Sequence, residues 1–118
     1  MGDLEVAEVV ETLRSGWLTS GKRVQLFEKN FATAVGALHA VALNSCTAAL
    51  HLAVEAVGLK AGQGVLVPTM TFAATAEVVR YLGAIPILVD CDPTTLNMEL
   101  GDAKSKVERA KSRAKSEE

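Results

Sequence analysis

The chain has 118 residues, of which 49% are hydrophobic and 22% charged, and a formal net charge of −2. These values predict one soluble globular domain with a modest core and exclude a disordered chain. No apolar run approaches the roughly eighteen residues of a membrane span, and the acidic start MGDLEVAEVV differs from a secretory signal. The acidic excess before Gly101 argues against nucleic-acid binding. We therefore expect a cytoplasmic protein that binds neither membranes nor nucleic acids.

Hydrophobic spacing predicts two helices at the start of the chain, one over residues 3–14 and one over the segment with Val24, Phe27, Phe31 and Val35. The loop SGWLTSGKR separates them, and Gly16 and Gly36 stand where helices are expected to end. The apolar residues of the first helix lie on one side: Leu4, Val6, Val9, Val10 and Leu13. Both helices are therefore predicted to be amphipathic.

The middle of the chain repeats one pattern, strand then helix. Strands are predicted over 39–43, within GVLVPTMTF and over IPILVD, with helices over 47–57 and 73–82. The third strand is hydrophobic throughout, as is typical of a strand covered on both faces. This alternation predicts an α/β fold with a partial parallel sheet and flanking helices. Residues 1–100 are expected to form the ordered part and residues 101–118 a polar, charged tail that is helical or frayed.

Ligands of open parallel sheets bind at the carboxyl ends of the strands, where the next helices begin. The segment Asn44-Ser45-Cys46-Thr47 occupies such a position. The free N–H groups of a first helical turn favour an anion, and the hydroxyl groups of Ser45 and Thr47 add donors. Simple capping of the helix by Asn44 or Ser45 explains the same residues without a ligand. Both interpretations stay open on the residues alone.

Three further candidates have ordinary structural explanations. Phe72 follows a strand and either lies flat on a planar ring or fills the core, which is the commoner role. Asp90 and Asp92 bracket Cys91; they provide a carboxylate pair for acid–base chemistry or, as we favour, ordinary turn residues. The spacing of Cys46 and Cys91 indicates neither a metal site nor a disulfide framework.

Two aromatic side chains outside these loops are less informative. His51, between two leucines of a predicted helix, is interpreted as a histidine satisfied within its helix and not as a ligand, and nothing in the sequence makes it a base for Cys46. Trp17 lies in a glycine-bounded loop, where it is either a packing anchor or part of a binding rim. The residues alone do not decide between these two roles.

Three segments together resemble a known family: SGWLTSGKRVQLFEKNFA, HAVALNSCTAALHLAVEAVG and VPTMTFAATAEVVRYLGAIPILVDCDPTTLNM. Between about residues 15 and 98 the chain is similar to the N-terminal part of sugar aminotransferases of the DegT/StrS type. The resemblance implies the large domain of an aspartate-aminotransferase-like fold. It also implies a pyridoxal-phosphate (PLP) cofactor, a nucleotide-linked keto-sugar substrate, an amino-acid donor and a homo-oligomer.

The resemblance assigns roles to individual residues. Ser45, Cys46 and Thr47 are implied to receive the cofactor phosphate, and Phe72 to stack on the pyridine ring. The loop residues of the family's G-W-x-T-x-G motif are implied to lie near the sugar: Trp17, Leu18, Thr19 and Gly21.

The resemblance also implies that the catalytic lysine and the carboxylate beside the pyridine nitrogen come after the residues printed here. No catalytic residue and no metal ligand is therefore assigned, and whether the chain is an enzyme is left open. The expectation is that it does not transaminate alone and that its exposed sheet edge favours self-association. The alternatives are a small non-catalytic module that binds a phosphorylated ligand and a truncated protein without activity.

Overall fold

The computed structural model describes residues 2–116, with side chains up to residue 113. The chain divides into two compact units, with the boundary between Ala42 and Leu43. Each unit has its own helices, and among residues 2–116 the sheet belongs to the second unit.

The first unit contains the helices α1 (Asp3–Ser15) and α2 (Lys22–Val35). Both predicted helices are confirmed. Each ends at a glycine in the left-handed conformation, Gly16 with φ 71° and Gly36 with φ 69°, a backbone that other residues rarely adopt. Arg23 of α2 forms ion pairs with two carboxylates of α1, and the hydrogen bond to Glu11, followed by that to Glu8, raises the pKa of Arg23 above its ordinary value.

The second unit contains α3 (Cys46–Ala56), β1 (Gly64–Pro68), α4 (Ala74–Tyr81), β2 (Ile85–Val89) and α5 (Leu100–Ser116). The two strands pair in parallel, with Gly64 opposite Ile85 and Pro68 opposite Val89. The α/β class and the partial parallel sheet are therefore confirmed. The β1–α4–β2 succession is the unit expected from the alternating pattern.

The core of this unit lies between the sheet and α4. Four valines are almost fully buried: Val67, Val78, Val79 and Val89. Burial of each side chain contributes about 1.5–3 kcal/mol. The small residues Ala74 and Ala84 are buried as well. The core holds both strands in register, and this brings their carboxyl ends together.

The prediction of a first strand over residues 39–43 is wrong, and the sheet of the described residues has two strands. A strand needs a hydrogen-bonded neighbour, and the N–H of Ala42 instead donates to the Glu28 carboxylate at 2.8 Å. Val41 is also 76% exposed, so no covering layer holds this segment flat.

The prediction that β2 is covered on both faces is also wrong for the described residues. Ile85 and Leu88 are 56% and 53% exposed, whereas Val89 is fully buried. A continuous apolar run shows that a strand is suited to burial on both faces of a sheet. It does not show that both covers lie within the printed residues.

Candidate functional site

The loops that follow the two strands meet at the carboxyl edge of the sheet. The N–H of Thr69, the first residue after β1, donates to the carbonyl of Val89 at 2.8 Å. The segment Thr69–Ala73 leads from β1 into α4, and residues 90–99 lead from β2 into α5. Parallel pairing therefore brings two loops with polar side chains to one edge, as expected for an open α/β sheet.

Ser45 is the N-cap of α3. Its backbone is extended, and its Oγ accepts the N–H of Ala48 at 3.1 Å. Its carbonyl accepts the first intrahelical bond, from the N–H of Ala49 at 3.1 Å. The capping interpretation of Ser45 is therefore confirmed, and serine is among the best caps because its short side chain reaches this N–H.

Capping by Ser45 leaves two donors of the first turn of α3 available. None of the hydrogen bonds within residues 2–116 uses the N–H of Cys46 or Thr47, or the hydroxyl of Thr47. Cys46 is exposed and Thr47 half-buried, so these groups are not sealed in the core. Two free N–H groups at the positive end of the helix dipole favour an anion by about 0.3–1 kcal/mol per charge. Capping and anion binding are thus compatible here.

Phe72 is 80% exposed, so the alternative that it fills the core is wrong. Its backbone is fixed at the start of α4, where the N–H of Thr75 donates to the Phe72 carbonyl at 3.0 Å. The hydroxyls of Thr71 and Thr75 lie 2.8 Å apart and tie the loop to the helix. An aromatic ring held by its backbone and left uncovered can stack on a planar ligand.

Asp92 shapes the turn after β2. Its Oδ1 accepts the N–H of Thr95 at 2.7 Å and that of Thr94 at 2.9 Å, and these bonds hold the pKa of Asp92 below its ordinary value. The carboxylate of Asp90 accepts the N–H of Cys91 at 2.8 Å. Both carboxylates are therefore used in turn structure, and the turn interpretation favoured from the sequence is confirmed.

Sequence reasoning missed the role of Cys91. Its Sγ accepts the N–H of Met70 at 3.3 Å and lies 3.7 Å from the Thr69 hydroxyl. This sulfur therefore links the loop after β2 to the loop that carries Phe72. The available signal was position: Cys91 stands two residues after β2, and Thr69 directly after its neighbour β1.

The loop of the first unit is closed by Trp17. Its Nε1 donates to the carbonyl of Ser20 at 3.1 Å. A Cβ on Gly21 would lie 2.3 Å from that nitrogen, so a larger residue there would displace the indole. Thr19 is exposed, and Trp17, Leu18 and Lys22 line a hollow at the start of α2. The loop thus has a fixed shape with a polar and an aromatic side chain at its rim.

The proposed site residues of the second unit lie at the starts of two helices in contact, α3 and α4. No hydrogen bond, ion pair or ring contact of residues 2–116 joins Phe72 to Ser45, Cys46 or Thr47. The ring contact between these helices is made elsewhere: His51 and Tyr81 meet edge to face with centroids 5.3 Å apart. His51 therefore packs against a neighbouring helix.

Neither a metal-binding group nor a membrane-spanning helix is found in the part of the chain that the structure describes. Its histidines, cysteines and carboxylates form no group of three or more that could hold a metal ion. None of its helices is long and apolar enough to cross a membrane.

Free N–H groups at a helix start beside a parallel α/β unit can hold an anion such as a phosphate. The family is defined by direct comparison. Residues 1–114 match the DegT/DnrJ/EryC1/StrS aminotransferase family, and the chain belongs to it. It is 52% identical over 99 residues to the spore coat polysaccharide biosynthesis protein SpsC of Bacillus subtilis (strain 168), a match that covers 84% of this chain.

Solved structures agree with this assignment and confirm the aspartate-aminotransferase-like fold. The putative sugar aminotransferase Spr1654 from Streptococcus pneumoniae, in its PMP-form, matches with a TM-score of 0.85 and 35% identity over 90% of this chain. A PLP-form of Spr1654 matches equally well. The GDP-4-keto-6-deoxymannose-3-dehydratase ColD, as an H188N mutant with bound GDP-perosamine, matches with a TM-score of 0.84 and 29% identity over 89% of this chain.

The chain spans about a quarter of the length of the relatives that it matches. It covers 25% of SpsC, 27% of Spr1654 and 29% of ColD. The resemblance inferred from the motifs is thus confirmed for the N-terminal part of these proteins.

Proposed function

We propose that this chain forms the cofactor-phosphate part of a PLP-dependent enzyme that transfers an amino group to a nucleotide-linked keto-sugar. One observation carries the proposal: the first turn of α3 has two N–H groups, those of Cys46 and Thr47, without an acceptor in the described structure. These donors lie at a helix start in a family whose similar structures include PLP- and PMP-forms.

The donor set suits the cofactor. A phosphate needs several donors and no nearby carboxylate, and α3 has no acidic residue in its first turn. The N–H groups of Cys46 and Thr47 and the Thr47 hydroxyl would hold the phosphate, and Ser45 would keep the turn open by capping. The exposed ring of Phe72 would lie against the pyridine ring. When bound, PLP supplies an electron-accepting ring for chemistry at the amino carbon.

The loop with Trp17, Thr19 and Gly21 is proposed to form the rim for the sugar substrate. The contacts of the loop support this role. The Trp17 indole donates to the Ser20 carbonyl, and Gly21 has no side chain that would displace the indole. A nucleotide sugar, GDP-perosamine, is bound in the similar structure of ColD. A nucleotide-linked keto-sugar is therefore the substrate class that we propose, with an amino acid as donor.

Amino transfer is favoured over dehydration by sequence identity. The chain is 35% identical to the putative sugar aminotransferase Spr1654 and 28% identical to the dehydratase structure with a trapped PLP-glutamate geminal diamine. We propose that the printed residues alone do not transaminate. Lys60 precedes β1 and so lies toward the amino ends of the strands, and Lys106 is paired with Asp102 at 2.6 Å.

The test is calorimetric titration with pyridoxine 5′-phosphate, which carries the phosphate and the ring but no aldehyde that reacts with surface lysines. We expect saturable binding that Thr47→Val weakens by about fivefold to tenfold, because a donor to a charged group is lost. Thr94→Val makes the same chemical change at an exposed turn residue and should leave the affinity unchanged. Absence of binding at millimolar ligand, or equal affinities of wild type and Thr47→Val, would refute the proposed site.

We also propose that copies of the chain associate and that the protein is cytoplasmic. Association is supported by exposed apolar side chains of both N-terminal helices, including Leu4 at 81% and Phe27 at 58%. The cytoplasmic location is supported by the two cysteines, which are free thiols. Light scattering should give a mass above the 12.4 kDa of one chain. A monodisperse monomer would contradict the association.

A further inference from the structure

The Phe72 ring has no packing layer that fixes its position. It is 80% exposed, and neither ring contact of the described residues includes it. Its place is therefore set by the backbone of the loop Thr69–Ala73. Because this loop is short, the contacts at its two ends decide where the ring points.

The helix end of this loop is fixed by α4. The N–H of Thr75 donates to the carbonyl of Phe72, and the hydroxyls of Thr71 and Thr75 lie 2.8 Å apart. These contacts fix Phe72 relative to the helix. They do not hold the loop against the sheet.

The sheet end is fixed by Cys91. The N–H of Thr69 continues the strand pairing to Val89, and the next N–H, that of Met70, donates to the Cys91 sulfur at 3.3 Å. The same sulfur lies 3.7 Å from the Thr69 hydroxyl. The Met70 N–H is therefore the last backbone donor before Phe72 that bonds to the chain after β2, and its acceptor is the Cys91 sulfur.

We infer that Cys91 is a positioning residue for the cofactor ring: its sulfur holds the backbone two residues before Phe72, and so keeps the exposed ring at the carboxyl edge of the sheet. This inference rests on the proposed function for the identity of the ligand. It adds a residue that touches neither the phosphate donors nor the ring.

The first test separates ring binding from phosphate binding. Wild type, Cys91→Ala, Cys91→Ser and the exposed control Thr94→Ala are titrated with pyridoxine 5′-phosphate and with inorganic phosphate. Cys91→Ala should lower the affinity for pyridoxine 5′-phosphate by about fivefold to tenfold, since one hydrogen bond to the loop is lost. Its affinity for inorganic phosphate should equal that of the wild type. Cys91→Ser keeps an acceptor on a shorter bond and should recover part of the loss.

Two results of this titration would overturn the inference. One is a Cys91→Ala protein that keeps the wild-type preference for pyridoxine 5′-phosphate over phosphate. The other is an equal loss for both ligands, which indicates general damage to the fold. If the wild type itself shows no preference for the ring-bearing ligand, the proposed function fails, and the positioning role is decided by the second measurement.

The second measurement needs no ligand. Hydrogen exchange of the Met70 and Thr71 amides should be faster by about fivefold or more in Cys91→Ala than in wild type, because the bond from Met70 to the sulfur is lost and the turn that holds the Thr71 N–H on the Thr69 carbonyl opens. The amides of β1 should keep their protection, and Thr94→Ala should exchange as wild type does. Unchanged exchange at Met70 in Cys91→Ala would overturn the inference.

Discussion

Ser45 shows how one side chain can cap a helix without using all the donors of its first turn. Its hydroxyl accepts the Ala48 N–H, and the N–H groups of Cys46 and Thr47 have no acceptor within the described residues. A cap with a carboxylate would satisfy the same N–H and repel a phosphate. The small neutral residues in this turn are therefore explained by the anion that we propose.

Leu96 adopts a backbone that leucine rarely takes. Its φ is 59°, and its N–H donates to the carbonyl of Asp92 at 2.8 Å, which closes the turn after β2. A leucine in this region costs about 1–2 kcal/mol because its Cβ crowds the backbone. The side chain is 55% exposed and gives little burial in return.

Leu96→Gly is therefore expected to raise the free energy of unfolding by up to about 1 kcal/mol, after the larger chain entropy of glycine is subtracted. Urea denaturation provides the measurement. Leu96→Ala is the control, because it removes the side chain but keeps the Cβ that causes the strain. A Leu96→Gly protein no more stable than Leu96→Ala would show that the turn is not strained.

At the scale of elements, α5 is attached to the sheet through Asp102. Its carboxylate accepts the N–H of Asp90, just after β2, and pairs with Lys106; in that order, these contacts hold the pKa of Asp102 below its ordinary value near 3.8. Ala103 beside it is buried. The first turn of α5 is thus fixed to the end of β2.

Because the folded-state pKa of Asp102 is lowered, its contribution to stability is present above about pH 4 and is lost as the pH falls through the folded-state pKa. Urea midpoints measured between pH 5 and pH 2 should fall for the wild type and fall less for Asp102→Asn. Glu55→Gln, an exposed change in α3, should follow the wild type. Equal pH dependence in Asp102→Asn and wild type would contradict this assignment.

The helices were predictable because their signals are local. The glycine stops Gly16 and Gly36, the cap Ser45 and the 3.6-residue spacing all lie within one helix length. The strand expected over 39–43 was not predictable, since apolar character does not supply a pairing partner. The exposure of β2 was not predictable for a similar reason, since the burial of its second face depends on residues outside the strand.

The sequence named candidate site residues but could not give their contacts. Phe72 was named from its place after a strand, Ser45 and Thr47 from a strand over 39–43 that is not formed, and motif resemblance gave all three their proposed roles. The exposure of Phe72 and the sulfur contact of Cys91 depend on how two loops meet across the sheet. Sequence spacing within one loop contains no such information.

At the scale of the whole molecule, apolar surface of the sheet is left uncovered. The second unit exposes Ile85 and Leu88 of its sheet, and the matched relatives are about four times longer than the match. Apolar surface of this kind is normally covered by further chain or by another copy. We expect the cofactor to bind more weakly here than in a protein that completes these surfaces.

The central claim is that the first turn of α3 and the Phe72 ring hold a phosphorylated pyridine. The most direct measurement is an NMR titration of the ¹⁵N-labelled chain with pyridoxine 5′-phosphate. We predict saturable amide shifts at Cys46 and Thr47, with a further shift at Phe72 that inorganic phosphate does not cause. Shifts spread over the lysines of α5 with none at Cys46 and Thr47 would contradict the account.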